Sequence, residues 1–217
     1  MDGFLIIDKP TGITSHDVVN FVRGRFKMRR VGHAGTLDPM ATGVLIILVG
    51  KWTKFFSHFS NFDKEYLVTA SFAAVTSTGD AEGKILKEFD YSHVSIVDVK
   101  ATFSKFKGNI EQVPPMVSAI KKGGKRLYEL ARNGIELKRQ ARPIFIKEIE
   151  LLKFYPPLID FKVNCSKGTY IRSLCEDVGR SLGCGGYETS LRRTRVGEFS
   201  IEQALHLEKI NESHIRQ

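Results

Sequence analysis

The chain has 217 residues, 42% of them hydrophobic and 26% charged, with a formal charge of +9. That apolar content supports one sizeable core, and no apolar run is long enough to span a bilayer. The positive surplus points to a polyanionic partner, nucleic acid first. Met1-Asp2-Gly3-Phe4 lacks the basic start of a secretory signal, so a cytoplasmic protein is expected. Cys165, Cys175 and Cys184 are odd in number and lack C-x-x-C spacing, which argues against a disulfide framework or zinc knuckle. Neither common glycine-rich nucleotide motif is present.

Phe4 to Asp8 reads as a short strand ending in the turn Lys9-Pro10-Thr11-Gly12. Ser15 is expected to cap a helix, with Asp17 in its first turn and Val18, Val19, Phe21, Val22 and Phe26 as its apolar stripe. Ser15-His16-Asp17 is no triad, because successive helical residues point in different directions. A glycine-rich loop follows through Asp38, and Val44 to Val49 reads as a buried strand. Lys51 to Phe59 predicts a short helix. From Tyr66 to Phe72 the chain alternates, with Tyr66, Val68, Ala70 and Phe72 on one face. Thr78 to Gly83 forms a turn before a strand from Lys84 to Phe89. Ser95 and Asp98 make a capping box for a helix that stops at Gly108. Val113-Pro114-Pro115 interrupts the next extended piece. Gly123-Gly124 reads as a flexible basic loop, and Arg126 to Asn133 as a helix ended by Gly134. One strand starts at Ile144 and closes at Pro156-Pro157; Ile159, Phe161, Val163 and Cys165 alternate in another. Thr169 is expected to cap a helix to Leu182, stopped by Gly183, and Ser200 with Gln203 opens a last short helix. This irregular mixture predicts an α+β fold in a single domain over residues 1–217, with a mixed, largely antiparallel sheet flanked by helices and loops.

Three places combine reactive groups with unusual backbone. Asp38 lies between Leu37 and Pro39 beside the buried strand, as a turn residue or a reactive group. Tyr66 opens a strand, where packing is the ordinary role. Cys165 to Arg172 forms a strand-to-helix junction. His33 and Asp38 have no further His or Cys near them in sequence, so no metal is expected. Basic residues cluster at Arg23 to Arg30, at Lys121, Lys122, Lys125 and Arg126, and at Arg192, Arg193 and Arg195.

Separated motifs, in order, resemble the TruB-type tRNA pseudouridine synthases from Gly3 to about Leu207. They are Asp8-Lys9-Pro10-x-Gly12-x-Thr14-Ser15-His16-Asp17, the Gly32 to Leu45 loop, Lys64-Glu65-Tyr66, and Gln112-x-Pro114-Pro115. Lys125-Arg126-Leu127-Tyr128-x-x-Ala131-Arg132-x-Gly134, Cys165 to Arg172, and Leu191-Arg192-Arg193-Thr194 complete the set. The resemblance implies the pseudouridine synthase fold. It also implies isomerisation of uridine 55 in the T-loop of tRNA, without metal or redox cofactor. Asp38 corresponds to the catalytic aspartate, attacking ribose or base. Arg172 matches an arginine that would hold the carboxylate's direction, and Tyr66 a base-stacking tyrosine. Tyr170 and Leu191 match apolar walls, and His33 a residue that holds the T-loop once the uridine has left the stack. The loop's glycines would let its backbone approach that extruded nucleotide. Arg30, Lys121, Lys122, Lys125, Arg126, Arg192 and Arg193 are candidate phosphate contacts. A monomer acting on the T-arm stem-loop, with no membrane and no separate C-terminal PUA domain, is expected.

The chain departs from the family pattern at Ser77, where an acid is usual, at Val117, where Tyr is common, and in the bulkier Gly185 to Glu188 segment. Two rival readings are an RNA-binding, tRNA-folding module with secondary or lost catalysis, and a metal-dependent RNA hydrolase using His33 and Asp38. Retention of Asp38, Tyr66 and Arg172 together argues against the first.

Overall fold

The computed structural model describes residues 1–118, 121–122, 125–126, 135 and 137–217. In chain order come β1 (Gly3–Lys9), α1 (Ser15–Phe26), β2 (Val31–Ala34), β3 (Thr42–Val49), a 3-10 segment (Gly50–Phe55), α2 (Phe56–Ser60) and β4 (Lys64–Ser71). Then follow β5 (Ala74–Thr76), β6 (Ile85–Glu88), α3 (Ile96–Phe106), β7 (Gly108–Gln112), β8 (Lys121–Lys122), β9 (Lys125–Arg126), β10 (Arg142–Tyr155) and β11 (Leu158–Cys165). Last are α4 (Ile171–Leu182), β12 (Tyr187–Val196), β13 (Phe199–Ser200) and β14 (Leu205–His206). The Gly123-Gly124 loop and the helix expected over Arg126 to Asn133 fall outside the described residues. The fold is α+β, with a mixed sheet in which antiparallel pairings predominate.

The chain gathers into two compact units, Met1–Leu67 with Leu191–Gln217, and Val68–Ser190. In the first, β1 runs antiparallel to β3 from Gly3↔Val49 to Lys9↔Gly43, with β14 parallel on its other edge. The second edge of β3 is shared. There β2 pairs with Ile46 to Val49, and β12 pairs with Thr42 and Gly43. The loop carrying Asp38 leaves the sheet at the end of β2 and returns at the start of β3. Phe4, Phe59 and Phe199 build an aromatic core beneath Val44, Ile46 and Leu48.

α1 begins one residue earlier in role than the sequence suggests. Thr14 is the N-cap, its hydroxyl accepting from Asp17 N at 3.1 Å while the Asp17 carboxylate accepts from Thr14 N at 2.8 Å. Ser15 is therefore freed for another task. Phe21 falls off the buried stripe and is exposed.

In the second unit β10 pairs antiparallel with β11 and with β7, and Phe103 of α3 meets Phe161 of β11 at 5.2 Å between ring centres. The three cysteines are free and buried. Thr169 does not cap α4; its hydroxyl donates to Ser166 O. The backbone at the helix start is held instead by the buried Gln112 amide, which accepts from Tyr170 N at 2.8 Å and donates to Tyr170 O at 3.0 Å.

β2 and β12 were not legible as strands. The buried positions of β12, Glu188, Leu191, Arg193 and Val196, do not keep a period of two, and two of them are charged. A hydropathy pattern has no strand signal to register there.

Candidate active site

The backbone around Asp38 is tied on both sides. Upstream, Arg193 donates from Nη2 to Gly35 O at 3.1 Å and from Nη1 to Thr36 O at 3.3 Å. Next to the acid, Ser15 Oγ accepts from Leu37 N at 2.8 Å and donates to Leu37 O at 3.1 Å. Downstream, Pro39 O accepts from Gly12 N at 2.9 Å and Lys9 Nζ at 3.2 Å, and Met40 O accepts from Thr11 Oγ1. Ala41 N closes a turn onto Asp38 O at 3.1 Å. A carboxylate on such a loop is aimed by its backbone before any ligand arrives.

Arg193 needs correcting as a phosphate contact. It is 1% exposed, and besides the two loop carbonyls its Nε donates to Val44 O at 2.7 Å. Val44 lies where the β2 pairing of β3 ends and the β12 pairing begins, so the guanidinium fills a gap in the ladder. With donors from all three of its nitrogens committed to main-chain carbonyls, Arg193 is a fastener of the Asp38 loop and is withdrawn from solvent. Gly43 is corrected too. It has φ +104°, and a Cβ there would collide with the Arg193 main chain, so this glycine serves strand packing rather than approach of a nucleotide.

Lys9 was read only as part of a turn, yet its side chain is buried and donates to the carbonyls of Pro10, Ile13 and Pro39. Burial pushes its ammonium down to about 8; Asp38 pulls it back up, while Arg193 opposes it. An unfolded lysine titrates near 10.5, so between about 8 and 10.5 the unfolded chain holds a proton that the folded chain has lost. The contribution of this residue to stability therefore rises with pH across that window. We expect the unfolding free energy of wild type minus that of Lys9→Met to climb from pH ~7.5 to pH ~10 in urea titrations. A flat difference would refute the buried ammonium.

His33 lies on β2 opposite Ile47. Burial, with the charges of Arg193 and His16, lowers its pKa below the usual histidine value, against a raising hydrogen bond at Gly35. The ring is thus neutral at pH 7, suited to stacking and hydrogen bonding rather than to gripping phosphate. Tyr66 on β4 and Leu191 on β12 are each 7% exposed. The residue before Tyr66 is fixed by Thr194, whose hydroxyl donates to the Glu65 carboxylate at 2.7 Å. Arg192 makes a fork on Asp8, at 2.8 and 3.2 Å, and donates to Thr42 Oγ1, but remains partly exposed. Arg30 is exposed, with Nε donating to Thr53 Oγ1 at 2.9 Å.

Tyr170 and Arg172 belong to the second unit. Arg172, 4% exposed, donates to Thr78 O at 3.0 Å and Val117 O at 2.7 Å, and stands 3.7 Å from the buried Asp80 carboxylate. It thereby joins the Thr78 to Glu82 turn and the Pro-Pro segment to α4. The contact at Val117 uses main chain, so Val in place of Tyr leaves it intact. Ser77 is likewise accommodated, its hydroxyl accepting from Lys84 N. The backbones of Lys121, Lys122, Lys125 and Arg126 pair as β8 and β9, and their side chains lie outside the described residues.

Sequence reasoning missed the work of Lys9, Ser15, Gln112 and Asp80. All four are buried polar groups. Their signal was a polar residue inside a motif that its local turn or cap did not require.

A family model described as TruB family pseudouridylate synthase (N terminal domain) matches residues 23–171, and one described as tRNA pseudouridylate synthase B C-terminal domain matches residues 172–217. The tRNA pseudouridine synthase B of Clostridium tetani is 50% identical over 217 residues, 100% of this chain and 75% of the relative. That of Mycobacterium tuberculosis is 49% identical over 214 residues, 97% of this chain and 72% of the relative. Among solved structures, a chain of a Cbf5-Nop10-Gar1 complex aligns with TM-score 0.75 and 30% identity, over 95% of this chain and 52% of that one. A chain of an H/ACA RNP bound to a substrate RNA containing 2'-deoxyuridine aligns with TM-score 0.71 and 27% identity, over 95% and 51%. This chain thus spans about half the length of those solved chains.

Proposed function

Since this chain belongs to the TruB family of tRNA pseudouridine synthases, we propose that it isomerises uridine 55 in the tRNA T-loop to pseudouridine, with Asp38 as its catalytic residue. The observation that carries this is Asp38 on a loop tied at Gly35, Thr36, Leu37, Pro39 and Met40. A carboxylate held this way serves as nucleophile or as stabiliser of an electron-poor sugar carbon. In the reaction the C1′–N1 bond breaks, the base turns and a C1′–C5 bond forms. C5 loses a proton and N1 gains one, so no redox partner is called for. Tyr66 is the proposed stacking face, which offsets the stacking lost by an extruded base. Tyr170, Leu191 and Arg172 are proposed as further substrate-binding residues, and neutral His33 as the prop for the T-loop. Arg30, Arg192, Lys121, Lys122, Lys125 and Arg126 are proposed to hold phosphates. We take the protein to work as a monomeric cytoplasmic enzyme without cofactor.

The test is a T-arm transcript incubated with the protein, then mapped by carbodiimide modification and primer extension. A new stop at the target uridine is expected. Binding without a stop would favour the RNA-folding module instead. The affinity should also fall with added salt, the log–log slope steepening by about 0.7–0.9 per phosphate neutralised. A flat dependence would remove the lysines and arginines from the RNA face.

A further inference from the structure

We infer that Arg29, Arg30, Lys51, Lys54, Phe55 and Phe56 form a second RNA contact surface, made for unpaired nucleotides outside the reacting uridine. This rests on the reading that the substrate is RNA. Arg30 O accepts from Gly50 N at 2.8 Å, and Arg30 Nε donates to Thr53 Oγ1, so the Arg29-Arg30 segment lies against the Gly50–Phe55 turn. That sets four exposed cations on two adjoining segments. The side chains of Arg29 and Lys54 make no hydrogen bond or ion pair among the described residues. The acid beside them, Asp2, is committed to Lys51 N at 2.6 Å, with the Lys51 ammonium at 3.9 Å.

Two phenyl rings stand among these charges. Phe55 is 51% exposed and Phe56 49%, whereas Phe59 of the same segment is buried in the aromatic core. Phe55 is also positioned: its ring meets Trp52 edge-on at 5.3 Å, and Trp52 in turn meets Phe4. Scattered surface apolar residues need no explanation, but two exposed rings successive in the chain, beside four cations of which Arg29 and Lys54 are unpaired among the described residues, match the pairing of stacking faces with phosphate grips used on single strands. Net repulsion between the cations disfavours contact with another basic surface, including a second copy of this +9 chain. The surface is also near enough to matter. β2 runs from Val31, next to Arg30, to Ala34, where the Asp38 loop begins, about 13 Å of strand.

The chain has one tryptophan, Trp52, packed beside Phe55, so tryptophan emission has a single source next to this surface. We expect an oligouridylate, and a T-arm hairpin with unpaired flanks, to quench Trp52 emission. Phe55→Ser/Phe56→Ser should weaken binding of the flanked hairpin about fivefold or more. Arg29→Gln/Lys54→Gln should flatten its salt slope by about 1.4. Turnover at saturating RNA should be unchanged in both. The inference is overturned if wild type binds and converts the hairpin while Trp52 emission, the affinities and the slope stay put. It is equally overturned if the serine variant changes only self-association in sedimentation, which would make this a protein contact. If wild type binds no RNA at all, the functional reading itself fails.

Discussion

Asp38→Asn is expected to lower turnover by at least a thousandfold (about 4 kcal/mol in the barrier) while leaving affinity for the T-arm within a few fold. The substitution is nearly isosteric. The fasteners at Gly35, Thr36, Leu37, Pro39 and Met40 all act on main chain, so the loop keeps its course. What disappears is the negative charge and the nucleophilic oxygen. Single-turnover assays beside filter-binding measurements separate the two effects. A variant that keeps a tenth of wild-type turnover would mean that another group carries the chemistry.

Arg193→Met should be the most damaging change away from the acid itself. The carbonyls of Gly35, Thr36 and Val44 lose their donor together; that of Val44 is buried and costs about 1–3 kcal/mol when left unsatisfied, whereas those of the partly buried Gly35 and exposed Thr36 can turn to water. We expect about 1–3 kcal/mol of lost stability in urea unfolding, and lower turnover even where the variant is fully folded, because the Asp38 loop is released upstream. Arg193→Lys keeps the charge but offers one point donor in place of a fork, so it should recover little. A stability loss below about 1 kcal/mol would show that the fastening is not needed.

The elements that sequence reading located well are those whose physics is local. The alternation of Ile159, Phe161, Val163 and Cys165 marked β11, and the Ser95–Asp98 capping box marked the start of α3. Gly183 stands in the left-handed conformation that ends α4. What stayed hidden was set by residues far apart in the chain. Ser15 looked like a cap because caps are local, but Thr14 takes that role and the Ser15 hydroxyl serves Leu37, 22 residues on. Arg193 looked like a phosphate contact because arginine is usually exposed, and only the β2 to β12 handover on β3 explains its burial. The residues proposed to do chemistry stand in motifs that can be quoted from the sequence. The residues that fasten the Asp38 loop could not be found that way, since a buried polar side chain is identified by its partners rather than by its neighbours in sequence.

The fastening by Arg193 also orders events in time. The carbonyls it holds lie 149, 157 and 158 residues upstream. On a ribosome the aspartate's loop is made first and must wait roughly 8–30 s for its clasp. β2 and β3 can pair meanwhile, since their hairpin needs nothing from the distal segment. The Asp38 loop is thus present early but unclasped, and on the proposed reading its carboxylate is set for chemistry only after β12 has been synthesised and has docked.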